Sequence, residues 1–186
     1  NGTETLSGLH AELSLSESDG TINLESLDLA NLAPGASTAI EGLEIACNAL
    51  RTDGDDLVLR IALDSDQGTY TLLAYATVQA PLLSPSVPNV AGGPLMPGGN
   101  YTVSFRLRNF GSITAENVIV DLLSPHPYYI EVLTGTIESG DAGPGDQVTI
   151  EFDVAVDEDA ITGQTLPITV IWSEAGGAVG HTELAL

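Results

Sequence analysis

The alternation of apolar and polar side chains between Pro97 and Leu123 is the feature that most constrains the fold. In its first half, apolar residues stand at every second position: Tyr101, Val103, Phe105 and Leu107. The residues Asn109-Phe110-Gly111 interrupt the pattern as a turn would, and apolar residues return at positions 118, 120 and 122. A period of two is typical of an antiparallel strand with one face buried and the other in water. The stretch therefore predicts two strands joined by a turn in an all-β sandwich.

The same period of two runs through residues 1–80. Alternating segments include Leu9 to Leu13, Leu43 to Cys47 and Leu57 to Leu63. Turn-forming triplets such as Ala33-Pro34-Gly35 and Asp53-Gly54-Asp55 separate them. No helical period competes over any useful window. We therefore expect this part of the chain to be all-β as well.

The second half of the sequence repeats the first at a spacing of about 109 residues. Val118, Val120 and Leu122 correspond to Leu9, Ala11 and Leu13. Gly163, Leu166, Ile168, Val170 and Trp172 correspond to Gly54, Leu57, Leu59, Ile61 and Leu63. A long-period match in turns and core positions together indicates a duplicated structural unit. The expected organisation is one unit at residues 1–80, a linker rich in Pro and Gly at 81–96, and a second unit at 97–186.

The two copies differ at their beginnings. The second copy has the strand Asn100 to Arg108 before its turn, whereas the first copy starts within the corresponding turn at Asn1-Gly2-Thr3. The first unit is therefore expected to lack its N-terminal strand or strands, which leaves an unpaired edge. Two explanations stay open. The strand stood upstream in a longer parent protein, or another chain supplies it by strand addition, which would make this an assembling subunit.

The charge is strongly acidic and evenly spread. Twenty-six Asp and Glu face four Lys and Arg, for a formal net charge of -22. A field of this sign repels phosphate backbones and anionic lipid, so nucleic acid and membrane-surface partners are disfavoured. No run of about 20 apolar residues predicts a membrane span. The pattern favours a solvated surface suited to high salt or to solubility outside the cell.

The second unit carries marks that resemble a known family. They are a Pro-Gly pair before the first long strand, Asn109 and Gly111 after it, Pro144-Gly145 before the next alternating strand, and Ala160 with Gly163 after that. In these it resembles the bacterial and archaeal immunoglobulin-like (Ig-like) modules of the cell-adhesion-related (CARDB) type, which are appended to secreted glycosidases and gingipain-type proteinases. The resemblance implies a tandem of Ig-like antiparallel β-sandwiches.

The role implied by the resemblance is extracellular or cell-surface: spacing, scaffolding, adhesion or assembly, with a protein partner or self-association. The alternative is that the units are non-catalytic accessory domains of a secreted hydrolase such as a peptidase or glycosidase. Modules of this type have no catalytic residues of their own, so neither an enzyme nor a cofactor is expected. The absence of Met or a signal peptide at Asn1 suggests a processed piece of a longer protein.

Clustered aspartates are the candidate metal ligands. Asp53, Asp55, Asp56, Asp64 and Asp66 bracket one predicted strand. Calcium takes six to eight oxygen ligands, which carboxylates on turns can supply. The spacing of an EF-hand is absent, and Asp is a favoured turn residue in any case. A calcium site and a set of solvated turns are therefore both open.

Two other surface features are candidates. His126, Tyr128 and Tyr129 form an aromatic patch that could hold a carbohydrate or a partner. Asn1 and Asn100 each begin an N-glycosylation sequon. A proline-shaped entry into a strand, with one Tyr packed inward, is the other interpretation of the patch.

The remaining chemically reactive side chains predict no site. Cys47, the single cysteine, falls on the apolar face of its strand and is expected to be a buried structural thiol. His10, His126 and His181 lie far apart, without the spacing of metal ligands. No GxSxG nucleophile elbow occurs.

Overall fold

The protein is all-β. The computed structural model describes residues 3–16, 19–47, 51–175, 177 and 179–186. Within these residues it contains fifteen strands, all of whose pairings are antiparallel, and no helix. The chain divides into two compact units, Asn1–Val78 (unit 1) and Gln79–Leu186 (unit 2). The all-β class predicted from the alternation is confirmed.

Unit 1 has six strands in its described residues. They are β1 (His10–Ser14), β2 (Gly20–Ile22), β3 (Ser26–Asp28), β4 (Ile45–Cys47), β5 (Asp56–Ser65) and β6 (Gly68–Thr77). Four of them form a sheet in the order β3-β1-β5-β6, and β2 pairs with β4 in a second sheet. The predicted inward positions Leu9, Ala11 and Leu13 are buried.

The described residues of unit 2 form nine strands. They are β7 (Leu83–Pro85), β8 (Asn89–Val90), β9 (Asn100–Asn109), β10 (Ala115–Leu123), β11 (Ile130–Val132), β12 (Thr136–Ala142), β13 (Gln147–Val156), β14 (Pro167–Ser173) and β15 (Val179–Ala185). One sheet has the order β12-β10-β14-β15. The other has the order β11-β13-β9-β7, with β8 also paired to β9.

One core of nineteen buried residues draws on both sheets of unit 2. Val103, Phe105 and Leu107 of β9 are buried while Arg106 and Arg108 are exposed, as their alternation predicts. The ring of Phe105 meets that of Phe152 edge to face, with centroids 6.3 Å apart. The two sheets thus enclose a single apolar interior, the arrangement that their alternating faces require.

The two long strands of the opening stretch do not form a hairpin. β9 pairs with β13, β7 and β8, whereas β10 pairs with β12 and β14. The turn at Asn109-Phe110-Gly111 therefore carries the chain from one sheet to the other. Alternation predicts which face of a strand is buried, but it does not identify the neighbouring strand, which depends on the whole topology.

The strand registers support the duplication. His10 pairs with Asp64, and Ile119 pairs with Ser173, a shift of 109 residues in both strands. The pairs of β2 with β4 recur between β11 and β13 with shifts of 110 and 109. β5 with β6 likewise recurs as β14 with β15. The spacing between corresponding residues therefore changes from 109 to 110 in the connections between strands. The strand pairings themselves are the same in both units.

Backbone conformation repeats as well. Three positions with positive φ have counterparts 109 or 110 residues later in the chain: Gly8 and Asn117, Gly35 and Gly145, and Gly54 and Gly163. Positive φ is unfavourable for most L-residues, so its recurrence reflects a requirement of the turn or bulge. The two units are built on the same local geometry.

Residues 81–96 belong to unit 2, contrary to their expected role as a linker. Leu83 pairs with Asn109 and is buried in the unit 2 core. Val90 pairs with Val103 and packs against the same core. Pro85 lies in β7, at the edge of the sheet, where a missing backbone donor is tolerated. The density of Pro and Gly here reflects short edge strands.

Candidate functional site

Within the described residues, one strand edge of unit 1 has no partner, whereas the corresponding edge of unit 2 is paired. β13 has β11 on one side and β9 on the other. Its counterpart β4 pairs only with β2 in the part of the chain that the structure describes. The strands β7, β8 and β9 have no counterpart in the described part of unit 1. The second edge of β4 therefore offers backbone groups to an incoming strand.

The side chains along β4 are less covered than their counterparts. Val156 is 5% exposed, whereas Cys47, at the corresponding position, is exposed. Leu43 and Ile45 are half-buried, whereas their counterparts in unit 2 are buried. The expectation that Cys47 is a buried thiol is therefore wrong. The strand parity was correct, but burial depends on a neighbouring strand that unit 1 does not contain in its described residues.

The facing sheet is also uncovered. Leu72 lies directly across from Ile61, and Tyr70 lies across from Leu63, so these four side chains share one face. Ile61 and Leu63 pack against the buried cluster of unit 1, which places this face on the interior side. Leu72 is nevertheless 54% exposed and Tyr70 45% exposed. The interior side of β6 thus lies open to solvent.

We call these residues the open face of unit 1: Leu43, Ile45, Cys47, Ile61, Leu63, Tyr70 and Leu72. The buried cluster beside it contains only Ala11, Leu13 and Leu59. Apolar side chains in water are unfavourable by about 25 cal/mol per Å² of exposed surface. Exposed apolar side chains next to a strand edge without a partner in the described residues are a usual mark of an association surface.

Acidic side chains dominate the rest of unit 1. Residues 1–80 contain thirteen Asp and Glu against two Arg. Arg51 forms an ion pair with Asp19 and lies 4.0 Å from Asp55. On β1, Nδ1 of His10 is 2.7 Å from Oδ1 of Asp28. That hydrogen bond raises the pKa of His10, desolvation opposes the rise, and the charges of Asp28, Glu12 and Asp64 add to it.

The five candidate calcium ligands are divided between the two ends of β5. Asp56 begins this strand and Asp64 lies near its end. At about 3.4 Å per residue, the two are roughly 27 Å apart. Asp64 accepts a hydrogen bond from Thr69 and Asp66 accepts one from Ser7 at 2.7 Å. The described residues contain no group of three or more His, Cys, Asp or Glu placed to hold a metal ion.

The aspartates near the start of β5 also have local partners. Asp55 accepts a hydrogen bond from the backbone of Thr52 at 2.9 Å, and Asp56 accepts one from Thr77 at 3.1 Å. Asp53 lies in the same turn. These carboxylates close turns and tie neighbouring strands together. A single calcium ion held by all five is therefore incompatible with the fold.

The aromatic patch lies on the turn before β11. Tyr128 is 86% exposed, Tyr129 is 36% exposed, and His126 is exposed. The carbonyl of His126 accepts hydrogen bonds from Tyr129 at 2.9 Å and Ile130 at 3.2 Å. The backbone of this turn is therefore held in place while its side chains project outward. A role in binding carbohydrate stays a prediction.

Of the two sequon asparagines, the structure describes Asn100. Asn100 is exposed and begins β9, and the hydroxyl of Thr102 donates a hydrogen bond to Asp153 at 2.7 Å. Asn1 lies outside the described residues. Glycosylation of either asparagine stays a prediction.

Asn109 is an important side chain whose role the sequence analysis did not identify. It is fully buried at the end of β9. Its amide nitrogen donates to the carbonyls of Ile113 and Ala142, at 2.8 and 2.9 Å. Its amide oxygen accepts from the backbone nitrogens of Leu82 and Gly111, at 3.1 and 2.9 Å. The parity of β9 placed this residue on the inner face, and that was the available signal.

No helix in the described residues has the length and apolar character needed to cross a membrane. No known protein family matches this chain, and no curated protein matches it.

Proposed function

We propose that the chain is a structural module of an extracellular or cell-surface protein, in which unit 2 is a self-sufficient scaffold and unit 1 is an assembly unit. The observation that carries the proposal is the difference between two copies of one design. Unit 2 has a closed core of nineteen buried apolar residues, whereas the described part of unit 1 has six buried apolar residues beside the open face. The role is non-catalytic and depends on surface rather than on a pocket.

The resemblance of unit 2 to Ig-like modules of the CARDB type supports this assignment. Such modules space, display and join other domains. Asn109, Gly111, Pro144 and Gly145 are among the residues that carry the resemblance. A tandem of two such units, one of them incomplete, would serve to join one polypeptide to another.

The acidic surface supports a setting in which the protein must stay soluble at high concentration or high salt. A net charge of -22 keeps molecules apart at long range. The Debye length falls to about 8 Å at physiological ionic strength, so this repulsion is short-ranged there. Contact through an apolar face then becomes favourable while non-specific aggregation stays suppressed.

The test compares two adjacent leucines on β6. Leu72 and Leu73 are each 54% exposed, but Leu72 faces the interior side and Leu73, across from Arg60, faces the outer side. Wild-type protein should associate reversibly as its concentration rises in sedimentation velocity. Leu72→Asp should abolish the association, because it places a charge on the open face. Leu73→Asp adds the same charge and should leave association unchanged.

A wild-type chain that stays monomeric at every concentration would count against assembly through unit 1. An equal loss of association in both variants would show that net charge, not the open face, controls it. Circular dichroism of both variants checks that the strands are retained.

A further inference from the structure

We propose that unit 2 is built to bear tension along its strands, and that residues 80–91, which we call the strap, are the part that resists it. The strap contains β7 and β8, and both pair with β9. This inference concerns unit 2 alone. It adds a mechanical function to the scaffold role and does not depend on the assembly role proposed for unit 1.

The strap begins at one end of unit 2. β9 ends at Asn109, and Leu83 of the strap lies across from that residue. The backbone nitrogen of Ser112, in the turn that follows β9, donates to the carbonyl of Ala80 at 3.2 Å. The strap runs antiparallel to β9, so a pull on Ala80 away from unit 2 is directed along the strand axis.

The last strand of unit 2 ends at the opposite end of the unit from Ala80. β10 begins at the same end as the strap, because Ala115 pairs with Ala142, whose carbonyl accepts a hydrogen bond from Asn109. β14 runs antiparallel to β10 and therefore begins at the opposite end. β15 runs antiparallel to β14 and ends across from its first residue, Pro167. Tension between the two ends of unit 2 therefore acts along the strands of both sheets.

The direction of a pull decides how the hydrogen bonds of the strap are loaded. Hydrogen bonds between antiparallel strands lie perpendicular to the strands. A pull along the strap shears all of these bonds together, so they share the load. A pull across the strap loads the first bond alone and breaks the bonds one after another. The position of Ala80 at the end of β9 gives the first kind of loading.

Three hydrogen-bonded pairs connect β7 and its flanking residues to β9: Leu82 with Phe110, Ser84 with Arg108, and Ser86 with Arg106. In the outer two pairs, Phe110 donates to the carbonyl of Leu82 and Ser86 donates to that of Arg106, each at 2.8 Å. The alternation of an antiparallel ladder places Ser84 in the same class. Pro85 falls between bonded positions, where a backbone nitrogen points away from β9, so this proline removes none of the bonds.

The beginning of the strap lies directly against the turn that follows β9. The amide oxygen of Asn109 accepts a hydrogen bond from the backbone nitrogen of Leu82 at 3.1 Å. A Cβ added at Gly111 would clash with the carbonyl oxygen of Ala80 and the backbone nitrogen of Leu82. Glycine is therefore needed here for the close approach of two backbone segments. The strap is pinned where the load enters it.

Apolar side chains also oppose sliding of the strap. Leu83 is buried in the core of unit 2, and Val90 packs against the same core. Movement of the strap along β9 would withdraw both side chains from it. β7 and β15 belong to different sheets, so tension between them is also opposed by the core that the two sheets share.

The experiment pulls single molecules of the full chain from two pairs of attachment points around unit 2. Cysteines are introduced at exposed positions in a chain that carries Cys47→Ser. Gln79→Cys with Ala185→Cys applies the load along the strands. Gln79→Cys with Thr114→Cys applies it across the strap, at the end where the strap begins. The unfolding force should be roughly threefold higher along the strands, because three hydrogen-bonded pairs share the load there instead of one.

Ser84→Pro is the matched variant for both directions. It removes the backbone N–H of the middle pair, a change that an edge strand tolerates. Along the strands, the unfolding force should fall by up to about a third, because one of the three pairs is weakened. Across the strap, the force should stay unchanged, because separation starts at the pair of Leu82 and Phe110. Urea unfolding followed at Trp172 checks that unit 2 remains folded in this variant.

A higher force along the strands that Ser84→Pro lowers supports the inference. Equal forces in the two directions overturn it. A force along the strands that Ser84→Pro leaves unchanged also overturns it, because another part of unit 2 then yields first. None of these results bears on the assembly of unit 1, which is judged separately from the sedimentation of Leu72→Asp and Leu73→Asp.

Discussion

Asn109 shows how one side chain can join two sheets. It lies where the chain leaves β9 for β10, and its amide makes four hydrogen bonds to backbone groups of four different residues. A side-chain amide offers two donors and two acceptor lone pairs, so all of its capacity is used. A buried polar group is favourable only when it is satisfied in this way. The turn therefore depends on Asn and not on polarity in general.

Replacing Asn109 by Ala should destabilise unit 2 by about 3 kcal/mol or more, because buried backbone groups lose their partners at about 1–3 kcal/mol each. Urea unfolding followed by the fluorescence of Trp172, the only tryptophan, measures this directly. Asn100→Ala is the matched control on the same strand. Asn100 is exposed, so its change should stay within about 0.5 kcal/mol. Equal effects of the two changes would contradict the role of Asn109.

His10 makes unit 1 sensitive to pH. Its hydrogen bond to Asp28 raises its pKa above the ordinary value of 6.5. A raised pKa in the folded state stabilises unit 1 below the unfolded value, and this contribution is lost as pH rises through the folded pKa. Asp28→Asn should lower the pKa of His10 towards 6.5 in an NMR titration. Glu12→Gln, which removes only a weaker charge effect, should lower it less, and the reverse order would refute the assignment.

At the scale of single residues, the sequence predicts orientation better than burial. Val103, Phe105 and Leu107 are buried as their parity requires. Cys47 has the correct parity but is exposed, because burial requires a second strand that local sequence does not reveal. The five aspartates were near one another in sequence, yet a ten-residue strand separates them. Distances between side chains follow from topology, which alternation does not specify.

Among the elements, β10 and the residues just before β1 have the same backbone irregularity. Gly8 and Asn117 both have positive φ, at 61° and 50°. The pairing of β10 with β12 shifts register on both sides of Val118, next to Asn117. The backbone nitrogen of Asn117 donates to the carboxylate of Asp141 at 2.9 Å. The bulge lies in unit 2, the two units share the positive φ, and Asn and Gly are the residues that tolerate this conformation.

Asn117→Ala should destabilise unit 2 by about 1–2 kcal/mol, the usual cost of a left-handed conformation for a residue with an ordinary Cβ. Asn117→Gly should change stability by only a few tenths, because glycine adopts positive φ freely and unit 1 already has it. The midpoint of thermal unfolding, followed at Trp172, distinguishes them. Two variants of equal stability would show that the bulge is not strained.

Glycines in turn motifs allow some of the connections between strands to be predicted from sequence. The glycines at 35, 54, 145 and 163 were expected to mark turns, and all four have positive φ. The edge strands β7 and β8 were assigned to a linker because Pro and Gly dominate them. Short edge strands have little room for alternation, so composition and pattern conflict there.

At the scale of the whole molecule, the two units have unequal cores. In the described residues, six apolar side chains are buried in unit 1 and nineteen in unit 2. Stability grows with the apolar surface removed from water, so unit 1 should be the weaker. The open face makes the difference larger, because Leu72 and Tyr70 gain little from folding in the absence of a partner.

Urea unfolding of the full chain should therefore proceed in two steps. Far-ultraviolet circular dichroism should lose part of its signal before the fluorescence of Trp172 changes, because Trp172 lies in unit 2. Coincident transitions by both probes would contradict independent units.

The shared registers also bear on how the chain reaches its native state. Tandem domains of the same design can misassemble during folding when a strand of one pairs with the neighbour's strand. At one corresponding pair of cross-strand positions, the two units have residues of different size. Trp172 lies across from Gly180, where an added Cβ would fall within 2.3 Å of the indole, whereas Leu63 lies across from Tyr70. Exchange of strands would set Trp172 against Tyr70 in one hybrid and leave Leu63 against Gly180 in the other. The first hybrid would be overcrowded and the second would contain a void. This difference in side-chain size therefore disfavours strand pairing between the two units.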